Sequence, residues 1–536
     1  MTRLSPTLVA ALLCCSLLPG TAARAEDRPT LELSVDDAVK RALESNVDIA
    51  VDKYNPELSA QSVRQALGYY DPFLSSTLSK SSQDTPATSA LSGGAKVTTD
   101  TLVYNFGLSQ YLPTGATFGL TFNNNKQDTT SSLSNFNPGY SSTLTASLTQ
   151  PLLKNFRIYS FRQQIRVAKK NREISDVQFR QTVINTVASV RKAYWDLIYA
   201  IDNLQAAQKS LALAKKLLSE NEIKVRVGTM APLDVVEAKS EVASREAGVI
   251  VAESALARAE DVLKSAIFPK NDPATWALRI LPTDRPSAEP MAVSAEAAIT
   301  NALEKRTDVV AARKGLERAD ISVEYARNQT LPQLDLTASY GATGVGGTGL
   351  VRDGFGGPVI GTIPGGYGDA VSSVFGRDFP TWTVRFNVTY PILNRQAAAA
   401  SAQARVTKSQ LLASFQRLEL QVAAEVRSAA RAVETNVKRV ASTKAARVLS
   451  AQRLDAEEKK FAAGMSTNFL VTQAQRDLAV AEVAELQAIA DYRKSIIDFE
   501  RVQESGISGS GAVAAVSAAY SGASVSTSTA ATTRTQ

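Results

Sequence analysis

The sequence predicts a mainly α-helical chain that carries part of a membrane β-barrel and is built twice over. Three observations predict it. Two stretches are too long and too free of breakers for ordinary globular helices, a few segments between them alternate apolar and polar residues, and landmarks of the first half return in order in the second.

Composition narrows the chemistry before any motif is read. The 536 residues are 44% hydrophobic and 21% charged, which excludes disorder and allows several domains. There is no histidine, and the only cysteines are Cys14 and Cys15. Both fall in a segment that reads as an export signal: Arg3, the apolar run Leu8 to Leu18, and the small-x-small site Ala23-Arg24-Ala25. Cleavage after Ala25 makes residues 1–25 a signal peptide. A lipid anchor on Cys14 is poorly served by Ala11-Leu12-Leu13, which lacks the small residues such a site prefers. Imidazole catalysis, thiolate chemistry, disulfides and zinc sites are then closed to the mature chain, and no enzyme, cofactor or metal is expected. Its 57 Lys plus Arg against 52 acids give a charge of +5, dispersed along helices equally rich in Asp and Glu, which does not indicate nucleic-acid binding. No segment offers the run of about 18 apolar residues that a spanning helix needs.

The duplication sets two structural repeats, 26–268 and 269–505, followed by a Ser/Thr/Ala/Gly-rich tail, 506–536, expected to be disordered. Ala42-Leu43-Glu44, Asp48, Pro72 and Leu74 recur as Ala302-Leu303-Glu304, Asp308, Pro332 and Leu334. Thr149, Pro151 and Leu153 recur as Thr389, Pro391 and Leu393; Gly228, Val235 and Ala238 recur as Gly464, Val471 and Ala474. Each repeat therefore runs helix, strands, long helix, glycine turn, helix.

The stretch 154–227 lacks proline and glycine throughout, and as a helix it would be roughly 110 Å long. Its counterpart is 394–463, and half-length partners are predicted at about 231–267, 294–330, 467–503 and 36–70. Val183, Val190, Leu197, Leu204, Leu211, Leu218 and Val225 fall seven apart, with Ala193, Ala200, Ala207 and Ala214 three residues after successive members. Val426, Val433, Val440, Leu454 and Phe461 keep that register in the second repeat. Such a seam implies left-handed supercoiled helices, although a plain bundle core accounts for the periodicity equally well.

Between the helices the period switches to two. Trp382, Val384, Phe386, Val388 and Tyr390 alternate with Thr383, Arg385, Asn387 and Thr389; Leu334, Leu336, Ala338 and Tyr340 alternate with polar residues, as do Leu144, Ala146 and Leu148. A soluble sheet with one buried face alternates in the same way, but strands of about nine residues suit a tilted membrane strand. Polar or Gly-rich segments at about 80–98, 123–141 and 341–379 read as long outer loops, a barrel habit. Gly344, Gly346 and Gly349 match a nucleotide-loop pattern, yet they sit in a glycine-rich stretch that no helix is expected to follow, so a flexible external loop is expected there. About four strands per chain is the default; 102–111 and 116–122 read as an additional hairpin around Pro113-Thr114-Gly115 that fits six strands per chain, while its missing counterpart in the second repeat argues for a decoration. That is fewer than the smallest closed barrels, so several chains must share one barrel, because lipid tolerates no open sheet edge.

The ordered set of landmarks resembles the TolC family of outer-membrane efflux proteins (outer membrane factors) over about residues 31–505. It rests on Leu33 to Leu43, Pro72 and Pro332 before strands, Gln150-Pro151-Leu152-Leu153, Tyr390-Pro391-Ile392-Leu393, and the turns at Gly228 and Gly464. The resemblance implies a homotrimer in the outer membrane of a Gram-negative bacterium, with a lipid-embedded β-barrel continuing into a periplasmic helical barrel. It implies a passive exit duct of a tripartite efflux or type I secretion system, working with a periplasmic adaptor (membrane fusion) protein and an inner-membrane transporter.

By the same resemblance, the adaptor is met at the hairpin tips, Gly228-Thr229-Met230 and Gly464-Met465-Ser466, where the duct also closes. Asp234 and Glu237 lie three apart on one helix face, and threefold symmetry would gather them into an acidic ring favouring cations. Asp234 in a first helical turn also stabilises its own helix dipole. Where known members carry a constricting aspartate pair, this chain has Leu470 and Gln473; the expected aperture is thus Asp234, Glu237 and Gln473. The rival from another class is a soluble periplasmic coiled-coil adaptor or scaffold, which needs no matched strand sets in both repeats.

Overall fold

A computed structural model describes residues 29–87, 94–269, 272–354 and 357–504. The expected signal peptide and tail lie outside the described residues. In chain order the elements are β1 (Thr30–Leu33), α1 (Val35–Ser45), α2 (Val47–Asp52), α3 (Tyr54–Leu67), a 3-10 turn at Gly68–Tyr70, β2 (Phe73–Pro86), β3 (Lys96–Tyr111), β4 (Thr117–Thr129), β5 (Phe136–Pro151), α4 (Ser160–Arg226) and α5 (Pro232–Ile267). The second repeat follows with α6 (Pro273–Ala277), β6 (Arg279–Pro282), α7 (Ala295–Lys305), α8 (Thr307–Asn328), β7 (Gln333–Arg352), β8 (Val359–Ile363), α9 (Tyr367–Gly376), β9 (Pro380–Thr389), α10 (Arg395–Ala462) and α11 (Asn468–Gln503).

α4 and α10 form where the absence of proline and glycine predicts them and are nearly equal, at 67 and 68 residues; α5 and α11 follow their glycine turns, α5 carrying Gly248 within it. The expected helices at 36–70 and 294–330 are each broken. The breaks fall at Asn46 and Arg306, equivalent positions of the two repeats, both with extended backbone. Asn46 caps α2, its Oδ1 accepting from the amides of Asp48 and Ile49 at 2.9 and 3.2 Å. Arg306 instead bridges Asp308 and Glu425, at 3.0 and 2.6 Å. The apolar pattern runs through both breaks, which hides them from periodicity.

The described residues divide into two compact units, and each draws on both repeats. One holds the chain up to Ser45, Val190–Ser287 and Thr443–Ala490; the other holds Asn46–Ser189, Ala288–Ser442 and the chain from Asp491.

In the first unit, β1 and β6 pair in parallel, Thr30–Leu33 against Arg279–Pro282, so the leading segments of the two repeats hold each other. Tyr194 clamps the pair: its hydroxyl donates to the Leu33 carbonyl and lies 2.9 Å from Asp284 Oδ2. Burial foremost pushes that hydroxyl up to about 12. Nearer the hairpin turns, Leu217, Leu454, Phe461, Val471, Ala474 and Leu478 form one apolar cluster.

In the second unit a single antiparallel sheet runs β2-β3-β4-β5-β7-β9, with β5 against β7 joining the two repeats. The short β8 pairs with Gly349–Arg352, the outer stretch of β7, while β9 pairs with Gln333–Ala342. The four-strand expectation is therefore too low: the hairpin 102–122 lies inside the sheet as β3 and β4. Its turn is fixed by Arg162 Nη1 donating to the Pro113 carbonyl at 3.1 Å and by Tyr159 donating to Leu112. Apart from β8 the strands are also longer than nine residues, from 10 in β9 to 20 in β7, so strand takes up much of the expected loops at 80–98 and 123–141, and the expected loop at 341–379 holds the outer end of β7, β8 and the helix α9. The register sets Leu334, Leu336, Ala338 and Tyr340 beside Val388, Phe386, Val384 and Trp382, and beside Leu148 and Ala146 of β5. One face of the sheet is thus apolar, and the other carries Thr143, Thr149, Thr337 and Thr343, hydrogen-bonded in pairs at 3.2 Å. β2 and β9 are exposed along their whole length, and among the described residues the sheet is open at both edges.

Candidate functional site

The two hairpin turns, both in the first unit, fold by the same device. Gly228 and Gly464 adopt φ of +84° and +77°, the left-handed conformation that costs a residue with a Cβ most. The Gly228 amide donates to Val225 O at 3.0 Å and Thr229 to Lys224 O at 2.9 Å. The Gly464 amide donates to Phe461 O at 3.2 Å and Met465 to Lys460 O at 2.8 Å. Each turn is a complete Schellman cap that satisfies carbonyls at the end of a long helix.

The predicted tip residues then differ in character. Thr229 donates its hydroxyl to Lys224 O at 3.0 Å, and Met230 packs against the apolar cluster. Met465 is 75% exposed, while Ser466 donates to the Glu457 carboxylate, a bond that holds Glu457 below its ordinary value. Around these turns Val227, Leu233, Val236, Phe469 and Leu470 are exposed, leaving an apolar rim.

Of the predicted aperture residues, Asp234 is half-buried in the first turn of α5, and its carbonyl accepts from Asn468 Nδ2 at 3.4 Å. Glu237 is exposed. Gln473 is turned to its own helix, donating to Asp477 Oδ1 at 2.8 Å, and Asp477 in turn pairs with Arg453 at 2.8 Å.

Three polar links that the sequence reading missed tie the hairpins together. Asn221 Nδ2 donates to Asn468 Oδ1 at 2.7 Å, both side chains being buried. Lys224 Nζ sits 3.6 Å above the Phe461 ring. Glu241, buried on α5, accepts from Arg245 Nε at 2.8 Å and from Arg476 of α11 through Nε and Nη2 at 3.1 and 2.6 Å. Burial pushes the Glu241 carboxyl up, but Arg476 and Arg245 outweigh it and hold the group below the usual carboxylate range. The same pairing raises Arg476. Only the Glu241-Arg245 spacing of four was visible in the sequence; Arg476 lies 235 residues from Glu241.

Among the described residues, no group of His, Cys, Asp or Glu could hold a metal ion, and no helix is long and apolar enough to cross a membrane.

Comparison with known proteins places this geometry. The outer membrane efflux protein family model matches residues 38–267 and 298–501. Over 173 residues, 32% of the chain, the sequence is 27% identical to the outer membrane protein TolC of Vibrio cholerae serotype O1, and the match spans 39% of that relative. Two solved structures share the fold over 88% of this chain. A membrane protein from Pseudomonas aeruginosa is 18% identical, with a TM-score of 0.63 over 93% of its length. The Campylobacter jejuni CmeC outer membrane channel is 16% identical, with a TM-score of 0.61 over 86% of its length.

Proposed function

The chain belongs to the outer membrane efflux protein family, and on that premise we propose that three copies close their sheets into one barrel and serve as a passive exit duct. The family is one of channels, not enzymes, and its members lie in the outer membrane of Gram-negative bacteria. The observation that carries the proposal is the sheet itself: it has one apolar face, and it is open along β2 and along β9. Lipid forbids such edges, and six strands are too few to close alone, so β2 of one copy finds β9 of the next.

Six strands from each of three copies make an eighteen-stranded barrel. At a strand spacing near 4.8 Å and a tilt near 40°, its backbone diameter is roughly 36 Å, against roughly 24 Å for twelve strands. The β3-β4 hairpin is what widens it.

The duplicated Schellman turns and the duplicated helix breaks support 26–268 and 269–505 as the repeating units. The exposed apolar rim at the tips supports Gly228, Thr229, Met230, Gly464, Met465 and Ser466 as the place where a periplasmic adaptor docks, with an inner-membrane transporter beyond it. Asp234 and Glu237 remain the acids proposed for the aperture. Gln473 stays in that set, its amide steadied by Asp477.

Cysteine pairs test the closure. One cysteine is fixed at Val384 of β9, and a second is moved through Leu74, Ser76, Leu78 and Lys80 of β2. The barrel predicts an interchain disulfide for at least one pair and covalent trimers on a non-reducing gel. Absence of any interchain product, with the variants in the membrane, would overturn it.

A further inference from the structure

The helix α9 is held against the apolar face of the sheet, at the level where the apolar band ends. Its Ala370 and Val374 are buried to 0% and 2% exposure. On β7 beneath it, a Cβ added at Gly344 would lie 1.9 Å from the Ala370 carbonyl oxygen, and one at Gly346 would lie 2.4 Å from the Gly366 oxygen. The glycines that resembled a nucleotide loop are therefore a flat seat for this helix. Tyr367 completes it: its ring meets those of Tyr104 and Tyr140 at 5.5 and 6.1 Å, and its hydroxyl donates to Asn124 Oδ1 at 3.1 Å.

Register fixes the face. Gly344 and Gly346 continue the alternation of Leu334, Leu336, Ala338, Tyr340 and Ala342, and Gly346 lies opposite Tyr140. The side chains from Leu334 to Ala342 cover roughly 27 Å of strand, or roughly 20 Å along the membrane normal at a tilt near 40°. An outward apolar band in this class of barrel is about 25 Å tall. The α9 seat begins at its outer rim, where aromatic girdles form, and three tyrosines are there. Phe375 in the helix and Phe379 just beyond its end are each more than 60% exposed.

We propose that α9 lies outside the barrel in the headgroup–acyl boundary of the outer leaflet, with Phe375 and Phe379 inserted among lipid and the glycine seat on β7 fixing its depth. The occupant of this surface is lipid, because the exposed Phe375 and Phe379 extend the apolar face of the sheet outward, and the polar Asn124 and Ser142 of that face are buried. Short amphipathic elements of this kind bind at an interface by their buried apolar area. The inference rests on reading the apolar face as lipid-facing, and a probe within the band separates the two.

The test uses the full chain, whose native cysteines both fall in the expected signal peptide. Phe375→Cys, Val384→Cys and Thr145→Cys are each labelled with a polarity-sensitive fluorophore and reconstituted in phosphatidylcholine vesicles. Nitroxide lipids labelled at the headgroup or deep in the chain are added, or iodide in the water. The label at 375 should be quenched most by the headgroup nitroxide, that at 384 most by the deep nitroxide, and that at 145, on the polar face, by neither. Quenching at 375 by iodide alone would place α9 in water, and quenching by no agent would place it under a neighbouring copy; either overturns the proposal while 384 keeps the face assignment. Loss of lipid quenching at 384 would overturn both. Gly344→Leu in the Phe375→Cys background should lift the helix and change quenching at 375, leaving the response at 384 unaltered; an unchanged response at 375 would refute the seat.

Discussion

Replacing Glu241 by glutamine tests whether the α5-α11 link governs local stability at the hairpin tips. The substitution keeps the shape and removes the charge that Arg245 and Arg476 share. Breaking a fully buried ion pair costs about 3–5 kcal/mol. The Arg476 side chain is 52% exposed and recovers solvation once released. The loss is therefore about 1–2 kcal/mol, a factor of about 5–30 in local opening. Amide exchange of the purified protein should accelerate by that factor in peptides spanning 228–245 and 464–480, and not in β5 or β7. Arg476→Gln should give a similar change, and the double variant should fall short of the sum. The pH dependence has a definite sign. The folded carboxyl is held below its unfolded value, so its contribution is complete above about pH 4.5 and is lost as pH falls through the depressed value. After correction for intrinsic exchange chemistry, protection in wild type should fall in that acid range and stay flat in Glu241→Gln. Additive single variants, or unchanged exchange in both peptides, would refute the coupling.

Other outcomes are open to direct measurement. Asn221→Leu leaves the buried Asn468 oxygen without its donor and should cost about 1–3 kcal/mol by the same exchange assay, with Asn221→Leu/Asn468→Leu less destabilised than the single variant. Gly228→Ala meets no atom within 4 Å, so only its backbone conformation is penalised, by about 1 kcal/mol. Gly228→Pro and Gly464→Pro also remove a capping amide and should impair export in a cell-based efflux assay with normal membrane insertion; unimpaired export would count against the tip assignment. The chain should leave the membrane fraction only with detergent and sediment as a trimer, where the soluble scaffold alternative predicts release in buffer.

The long helices were legible because proline and glycine punctuate them: α5 and α11 begin within one residue of expectation, and both glycine turns stand where the repeat put them. Val426, Val433, Val440, Leu454 and Phe461 are all buried, as their register predicts. In α4 the deepest positions leave the seven-residue series after Leu197 and pass to Ala214, Leu217 and Asn221. Strand lengths were hidden by polar stretches such as Ser79–Asp84 and Asn123–Lys126, which have loop composition yet pair residue for residue with β3 and β5. Glycine at 344 and 346 suggests freedom in a sequence and here provides clearance. The Glu241–Arg476 pair joins segments that only the fold brings together.

The two bare margins of the sheet have a consequence for biogenesis. A newly exported subunit arrives with twin rows of unsatisfied amides and carbonyls and a greasy flank, compatible neither with water nor with bilayer. Such a subunit invites misassociation; if copies share the barrel as proposed, insertion would be coupled to oligomerisation, or a chaperone would cover both margins until then.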